Sequence, residues 1–436
     1  MLYGNTKLPA YSGVNTVKSN QLMKNNKLPW CMLASLYMTQ YVGLAFILSA
    51  SVAILRHQGV PLDKLALLNL VALPLAGKVL YAPIIDKYRP LLKGHYRSWL
   101  VISNASMALL LVALGSMNIT EKFMGVLGLV CLYTFFMSIQ DISVDGLSVK
   151  LFKPEQRQFA SSVQFSGNLF GNIIGGGILL ILYPWLEWQG SFAFLAVLTF
   201  CSLLFVVFYK EPENTKYIEF KTSNNLYREI KDFLISQKHW CLVLVLYPLI
   251  STWGFALLNP ILVDNDWSLV DIGFSVKVFG SIIGVFSALL ASPLIAILGR
   301  SRSFMFVLCL QVVALCLMVI PALGYTNKAL IYFVIGTHFL SFPALLVVSA
   351  TIFIDKAAKT SRRATFFTFQ ASFATLFGFV YSWATMAVAK YLGYSTTIMV
   401  GGILSMMIVA LIWSVISKSS IIKTMGICTT ASQCKQ

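Results

Sequence analysis

The sequence predicts an all-α membrane protein with twelve transmembrane helices in two six-helix, pseudo-symmetric bundles. Three observations carry this. Of 436 residues, 58% are hydrophobic and 11% charged, with a mean hydropathy of +0.77, a composition unlike that of a water-facing surface. Apolar runs of about 20 residues, the length that crosses a bilayer, recur along the chain. The basic residues gather in alternate gaps between those runs, the pattern that orients membrane helices.

The spans are expected to start near Trp30, Lys64, Trp99, Phe123, Phe159, Phe192, Trp240, Asp271, Phe304, Ala329, Ala364 and Thr396. With the N-terminus inside, 26 of the 33 Lys and Arg residues fall in tails and inner loops, 5 in outer loops and 2 within spans. That bias places both termini in the cytoplasm, and dropping one helix would invert every later loop and destroy it. Residues 1–29 read as a retained cytoplasmic tail, since they lack the basic start and short apolar core of a signal peptide. Residues 30–209 then form the first bundle, 210–238 a charged cytoplasmic linker, 239–417 the second bundle and 418–436 a second tail. The net charge of +17 is explained by this topology, with no basic block to suggest nucleic acid. Eight cysteines show no CxxC pair or metal-ligand spacing, so neither a disulfide framework nor a metal site is expected.

The halves echo each other. Gln164, Gly167 and Gly171 of span 5 have counterparts in Gln370 and Gly378 of span 11, and basic turns after spans 2 and 4 recur after spans 8 and 10. Two parallel repeats of six helices suit a pair of bundles that rock about a site near the midplane.

The turn after span 2, Ala82-Pro83-Ile84-Ile85-Asp86-Lys87-Tyr88-Arg89, resembles the major facilitator signature of that loop, Gly-x-x-x-Asp-Arg-x-Gly-Arg. Asp86 is in place, the first glycine is Ala82, and the Gly-Arg ending is missing. Gly299-Arg300-Ser301-Arg302 keeps that ending in the second half but lacks the acid. Span 5 carries Gly167, Gly171 and Gly175 at every fourth position, a spacing that lets helices approach closely. Gln140-Asp141-Ile142-Ser143-Val144-Asp145-Gly146, with Ile54-Leu55-Arg56-His57-Gln58-Gly59-Val60 and Lys78-Val79-Leu80-Tyr81-Ala82-Pro83, is similar to the muropeptide-permease and acetyl-CoA-transporter branch. The Asp145-Gly146 pair looks closest to siderophore permeases of the rhizobactin and pyochelin type. This resemblance implies the major facilitator fold and a monomeric inner-membrane secondary transporter without cofactor, driven by the proton gradient. Its implied substrate is a ferric siderophore or similar bulky anion, with a muropeptide as the alternative.

Ser138, Asp141, Asp145 and Ser148 lie at i, i+3, i+7 and i+10 of span 4 and so share one face. Ionisable groups at that depth belong toward the bundle interior. Asp141 is expected to be a proton or substrate site. Lys78, at a similar depth, is either its partner or a cation that snorkels to the headgroups. Asp145 is expected to join Asp86, Lys87 and Arg89 in a cytoplasmic gate, as a structural partner for Lys87 or Arg89. Lys277 either snorkels outward or offers a cation to an anionic ligand. Tyr37, Gln40 and Tyr41 of span 1, Gln164, Asn168 and Asn172 of span 5, and Trp253 of span 7 are candidates to line a cavity, against helix-to-helix bonding and ring packing as the plainer readings. His338 is read as a satisfied interior histidine, with a proton relay as the alternative.

A membrane enzyme would need clustered catalytic side chains and a sizeable loop, and a receptor a sensor domain. Neither is present in the sequence, and no Gly-x-x-x-x-Gly-Lys-Ser/Thr loop exists to bind ATP phosphates.

Overall fold

The computed structural model describes residues 28–51, 73–90, 94–117, 123–212, 226–325, 327–360 and 362–418. Among them ten helices are long and apolar enough to cross a membrane: Leu28–Leu48, His95–Gly115, Phe123–Leu151, Ile181–Phe208, Lys238–Asp264, Asp271–Leu298, Arg300–Ala322, Lys328–Ala357, Arg363–Leu392 and Tyr394–Val415. These correspond to predicted spans 1, 3, 4, 6, 7, 8, 9, 10, 11 and 12, the one for span 6 also taking in the end of span 5 before a break at Glu187. Most begin a few residues earlier than hydropathy suggests, span 9 at Arg300 rather than Phe304, because their polar first turns stay helical beyond the apolar stretch.

Spans 2 and 5 differ for separate reasons. Span 2 is described only over Leu73–Ala76 and Lys78–Lys87, and its predicted start and the Ile54–Val60 motif lie outside the described residues. Span 5 begins with Pro154–Asn172, passes through a π-helical turn at Ile173–Ile178 and continues helical until Glu187, whose φ of 52° breaks the path before span 6. It is too polar to register as a membrane helix, with buried Gln158, Ser161, Ser162, Gln164, Ser166 and Asn168. Such a helix is tolerated because spans 1, 8 and 10 pack around it and leave it little contact with lipid.

The contact between spans 1 and 5 is the closest in the first half. A Cβ at Gly167 would stand 3.1 Å from Tyr37 Cβ, one at Gly171 2.6 Å from the Met38 carbonyl, and one at Gly175 would collide with the Val42 carbonyl. The glycine ladder therefore brings backbone against backbone. π-Helical turns also occur in span 1 at Phe46–Ala50 and in span 8 at Phe274–Phe279. The turn of span 5 packs on both, forming a layer that runs from the first half to the second at one end of the bundle.

At the other end, where the linker joins, Lys150 lies 2.5 Å from the buried Glu211. Glu211 also accepts from the Arg97 amide at 2.9 Å. The linker contains a helix, Leu226–Ser236, which docks on the second half: Phe233 meets Phe366 and Phe369, and Glu229 accepts from Arg362 at 3.0 Å.

The glycine contact gives a direct test. Gly175→Ala is expected to destabilise the protein by about 1–3 kcal/mol through overpacking against main chain that cannot move aside. Gly128→Ala, in span 4 with nothing within 4 Å of the added carbon, should be neutral. Thermal unfolding in one detergent compares them, and equal midpoints would show that the ladder is not tightly packed.

Candidate functional site

A polar cluster occupies the first half about midway through the membrane. Asp145 and Asp141 lie six and ten residues from Leu151 at the linker end of span 4, or roughly 9 and 15 Å along the helix axis. Lys78 Nζ donates to Asp141 Oδ2 at 2.6 Å, with 18% and 16% of the two side chains exposed. Tyr81, one turn further along span 2, is hydrogen-bonded to Ser138 and donates to the Pro74 carbonyl at 2.7 Å.

Asp145 is 2% exposed and forms no ion pair among the described residues. Its Oδ1 accepts from Tyr37 Oη at 2.8 Å and from Gln164 Nε2 at 3.1 Å, while Ser148 Oγ stands 3.4 Å from the same tyrosine. Asn168, with its amide turned to satisfy its bonds, donates to the carbonyls of Tyr37 at 3.0 Å and Gln164 at 3.3 Å. The phenol and amide that hold the carboxylate thus come from the two helices joined by the glycine ladder. Tyr41 of span 1, half-buried, lies within electrostatic reach of Asp141, Lys78 and Asp145.

The expected pairing of Asp145 with Lys87 or Arg89 does not occur. Lys87 and Arg89 are exposed at the end of span 2, with Lys87 Nζ 5.1 Å from the Tyr88 ring centroid, whereas Asp145 faces span 1. Asp86 of that set does connect the halves. Its carboxylate accepts from the Ala364 and Thr365 amides at 3.2 and 2.7 Å, from Thr365 Oγ1 at 2.6 Å and from Tyr96 Oη at 2.7 Å. It therefore caps the N-terminus of span 11, where unpaired N–H groups and the helix dipole favour an anion. Gly146 makes room for this closure, since a Cβ there would lie 2.5 Å from the Tyr96 ring and 2.8 Å from Ala364 Cβ.

The opposite loop supplies a second bridge. Arg300, at the start of span 9, donates to Asp355 at 2.9 Å, to Gln158 at 3.3 Å and to the Pro154 carbonyl at 2.5 Å. Arg157 of span 5 donates to the same Asp355 at 2.7 Å. The acid missing from the second-half loop motif is thus provided by span 10. Sequence reading overlooked Asp355, although an arginine motif without its acid was a signal to seek one elsewhere.

Other candidates lie apart from the cluster. Trp253 is packed between helices, in line with the plainer reading of its ring. It is buried against Gly401 and donates to the Thr397 carbonyl at 2.9 Å, because the glycine leaves a slot for an indole between spans 7 and 12. His338 is 1% exposed, stacked on Phe255 at 4.1 Å, with Nδ1 3.0 Å from the Gln311 amide. Ser341 donates to the same Gln311 at 2.5 Å. The histidine is only half satisfied, since Nε2 is buried without a partner. Gln40 is buried with Nε2 unpartnered, and Asn172 is half-buried. Lys277 is exposed in the π-helical turn of span 8, far along the chain from the Lys78 pair. Among the described residues no three His, Cys, Asp or Glu side chains gather to hold a metal.

A family model described as Major Facilitator Superfamily matches residues 30–380. The anhydromuropeptide permease of Escherichia coli (strain K12) is 26% identical over 257 residues, 57% of this chain and 51% of that protein. The match thus spans about half the length of that relative. A Rickettsia bellii (strain RML369-C) protein bearing the name AmpG 1 is 23% identical over 333 residues, 73% of this chain and 81% of its own. Among solved structures, a bacterial homologue of the iron transporter ferroportin in an outward-facing state superposes with a TM-score of 0.61 at 18% identity. It covers 90% of this chain and 99% of that one, a likeness of fold alone.

Two outcomes are expected from the geometry. Lys78→Gln strands Asp141 and should cost ~2 kcal/mol, less than for a fully buried pair because both side chains keep some exposure. Adding Asp141→Asn should restore much of that loss, and a strictly additive double mutant in thermal unfolding would show that the pair is not coupled. Asp355→Asn should loosen the linker end, so that a cysteine placed at Ser148 in a cysteine-free background reacts faster with an impermeant maleimide. Unchanged labelling would mean that the two arginine bridges do not hold this end shut.

Proposed function

The chain belongs to the Major Facilitator Superfamily, and from that premise we propose that it is a proton-coupled carrier of a muropeptide-type solute across a bacterial inner membrane. Membership makes it a multi-pass secondary transporter. Solute, coupling ion and orientation are our reading. The name of the E. coli relative supports a muropeptide over the ferric siderophore that the Asp145-Gly146 pair suggested. The structure supplies a different reason for that glycine, the close approach of Tyr96 and Ala364, so the dipeptide carries little information about substrate.

One observation carries the coupling proposal: Asp145 is buried with only neutral hydrogen-bond partners, beside an Asp141 already neutralised by Lys78. This reverses the expected roles of the two aspartates. The net charge of the cluster is that of Asp145, and an unpaired charge inside a membrane protein costs several kcal/mol to move between environments. A proton removes that charge. It also changes the hydrogen bonding, because an ionised carboxylate only accepts whereas a protonated one must place a donor. Tyr37 and Gln164 would then rearrange, and with them the contact of spans 1 and 5 against span 4. Protonation at Asp145 is thereby linked to helix movement, as alternating access requires.

The linker end is taken as cytoplasmic, from the excess of Lys and Arg in loops and tails on that side. In this orientation Asp86, Arg157, Arg300 and Asp355 close the inner side of a twelve-span bundle. Tyr37, Tyr41, Gln40 and Asn172 border the path of the solute, and the Lys78–Asp141 pair stays neutral beside it.

Asp145→Asn is expected to abolish gradient-driven accumulation of labelled anhydromuropeptide in proteoliposomes while exchange of solute across the membrane persists. Asp141→Asn combined with Lys78→Gln should retain accumulation. Full accumulation by Asp145→Asn would move the coupling site elsewhere. In a permease-null strain, restored growth on a ferric siderophore without restored muropeptide recycling would overturn the assignment of solute.

A further inference from the structure

A groove of about 630 Å³ runs between spans 9 and 12 on the outer side of the second half, lined by Arg302, Met305, Phe306, Cys309, Val312, Met406, Val409, Ala410 and Trp413. It is separate from the polar cluster, which lies among spans 1, 2, 4 and 5. The two helices run antiparallel. Beyond Val312, away from the linker end, they touch where a Cβ on Gly402 would lie 3.3 Å from Cys316 Sγ. Toward the linker end they leave a trough between Met305, Phe306 and Cys309 on one helix and Met406, Val409 and Ala410 on the other.

Arg302 stands at the linker end of this trough, level with Trp413. Both are exposed, and Arg302 forms no ion pair among the described residues. From Arg302 to Val312 the trough is ten residues long, or roughly 15 Å, which is half of the ~30 Å hydrocarbon core and so the depth of a single leaflet. Its remaining lining is apolar. An exposed cation and an indole are the side chains that membrane helices place at headgroup level, and here they stand above a slot between two helices that can admit an acyl chain.

We infer that this groove is a binding site for one anionic phospholipid of the linker-end leaflet, with the phosphate at Arg302, the glycerol region beside Trp413 and an acyl chain along Phe306, Cys309 and Ala410. The charge of Arg302 favours an anionic over a zwitterionic headgroup, at about 1 kcal/mol for each cation close to the surface. Met305 and Met406 suit the occupant, because an unbranched thioether adapts to a mobile chain.

Native mass spectrometry of the full chain, purified in detergent and exchanged against phosphatidylglycerol or phosphatidylcholine, tests this. The protein is expected to retain one phosphatidylglycerol in preference to phosphatidylcholine. Arg302→Gln should lower that retention about fivefold, and Ala410→Phe, which fills the trough, should remove it. Val313→Phe, at an exposed position outside the groove lining, should have no effect. Equal retention of the two lipids, or retention unchanged in both groove variants, would overturn the site. So would a dimer held through this face without lipid. Should Ala410→Phe fail to fold, Arg302→Gln decides alone, because its side chain is exposed.

Discussion

The backbone contact between spans 1 and 5 is the constraint on which the first half depends. Where Gly167, Gly171 and Gly175 meet Ala34, Met38 and Val42, two helices come closer than side chains would allow. Tyr37 and Gln164 then donate to the same carboxylate oxygen. Asn168 fastens the pair by bonding the Tyr37 carbonyl. Polar side chains that would be costly in lipid are thereby concentrated in span 5, the helix most enclosed by its neighbours. Packing and chemistry are inseparable here, since the residues that let the helices touch also determine what reaches Asp145.

The two halves share a frame but not a chemistry. At the offset relating Gln164 to Gln370, Asp141 corresponds to Val347 and Asp145 to Thr351. Gln370 accordingly has no acid to hold, and bonds the Trp240 indole and two carbonyls. The second half contributes instead to closure, through the capped N-terminus of span 11 and the Arg157–Asp355–Arg300 bridge. The buried Asp145 carboxylate belongs to one half, and the other half supplies most of the partners that lock the linker end.

Much of this was legible in the sequence. Apolar length and basic-loop bias identify the class, and the stripe on span 4 follows from helical periodicity. The Lys78–Asp141 contact follows from equal depth on neighbouring helices. What failed was facing. Asp145 and the Lys87–Arg89 turn lie toward the same end, but depth alone does not reveal that the carboxylate points to span 1. The slot that holds Trp253 is made by Gly401, nearly 150 residues away, and Asp355 escaped because its two arginine partners come from two separated stretches of chain. The choice between solutes was overdrawn from one dipeptide whose glycine answers to packing.

The π-helical turns described in spans 1, 5 and 8 have a consequence for how such a chain diverges. A π turn holds more residues than an α turn, so it stores an insertion without breaking the helix. Loss of a single residue within Ile173–Ile178 would turn everything from there to Glu187 by about 100°, while Gln164 and Asp145 stayed where they are. Insertions and deletions at this layer therefore offer an evolutionary route to a differently faced mouth over an unchanged ionisable centre, one that comparison of substitutions alone would not register.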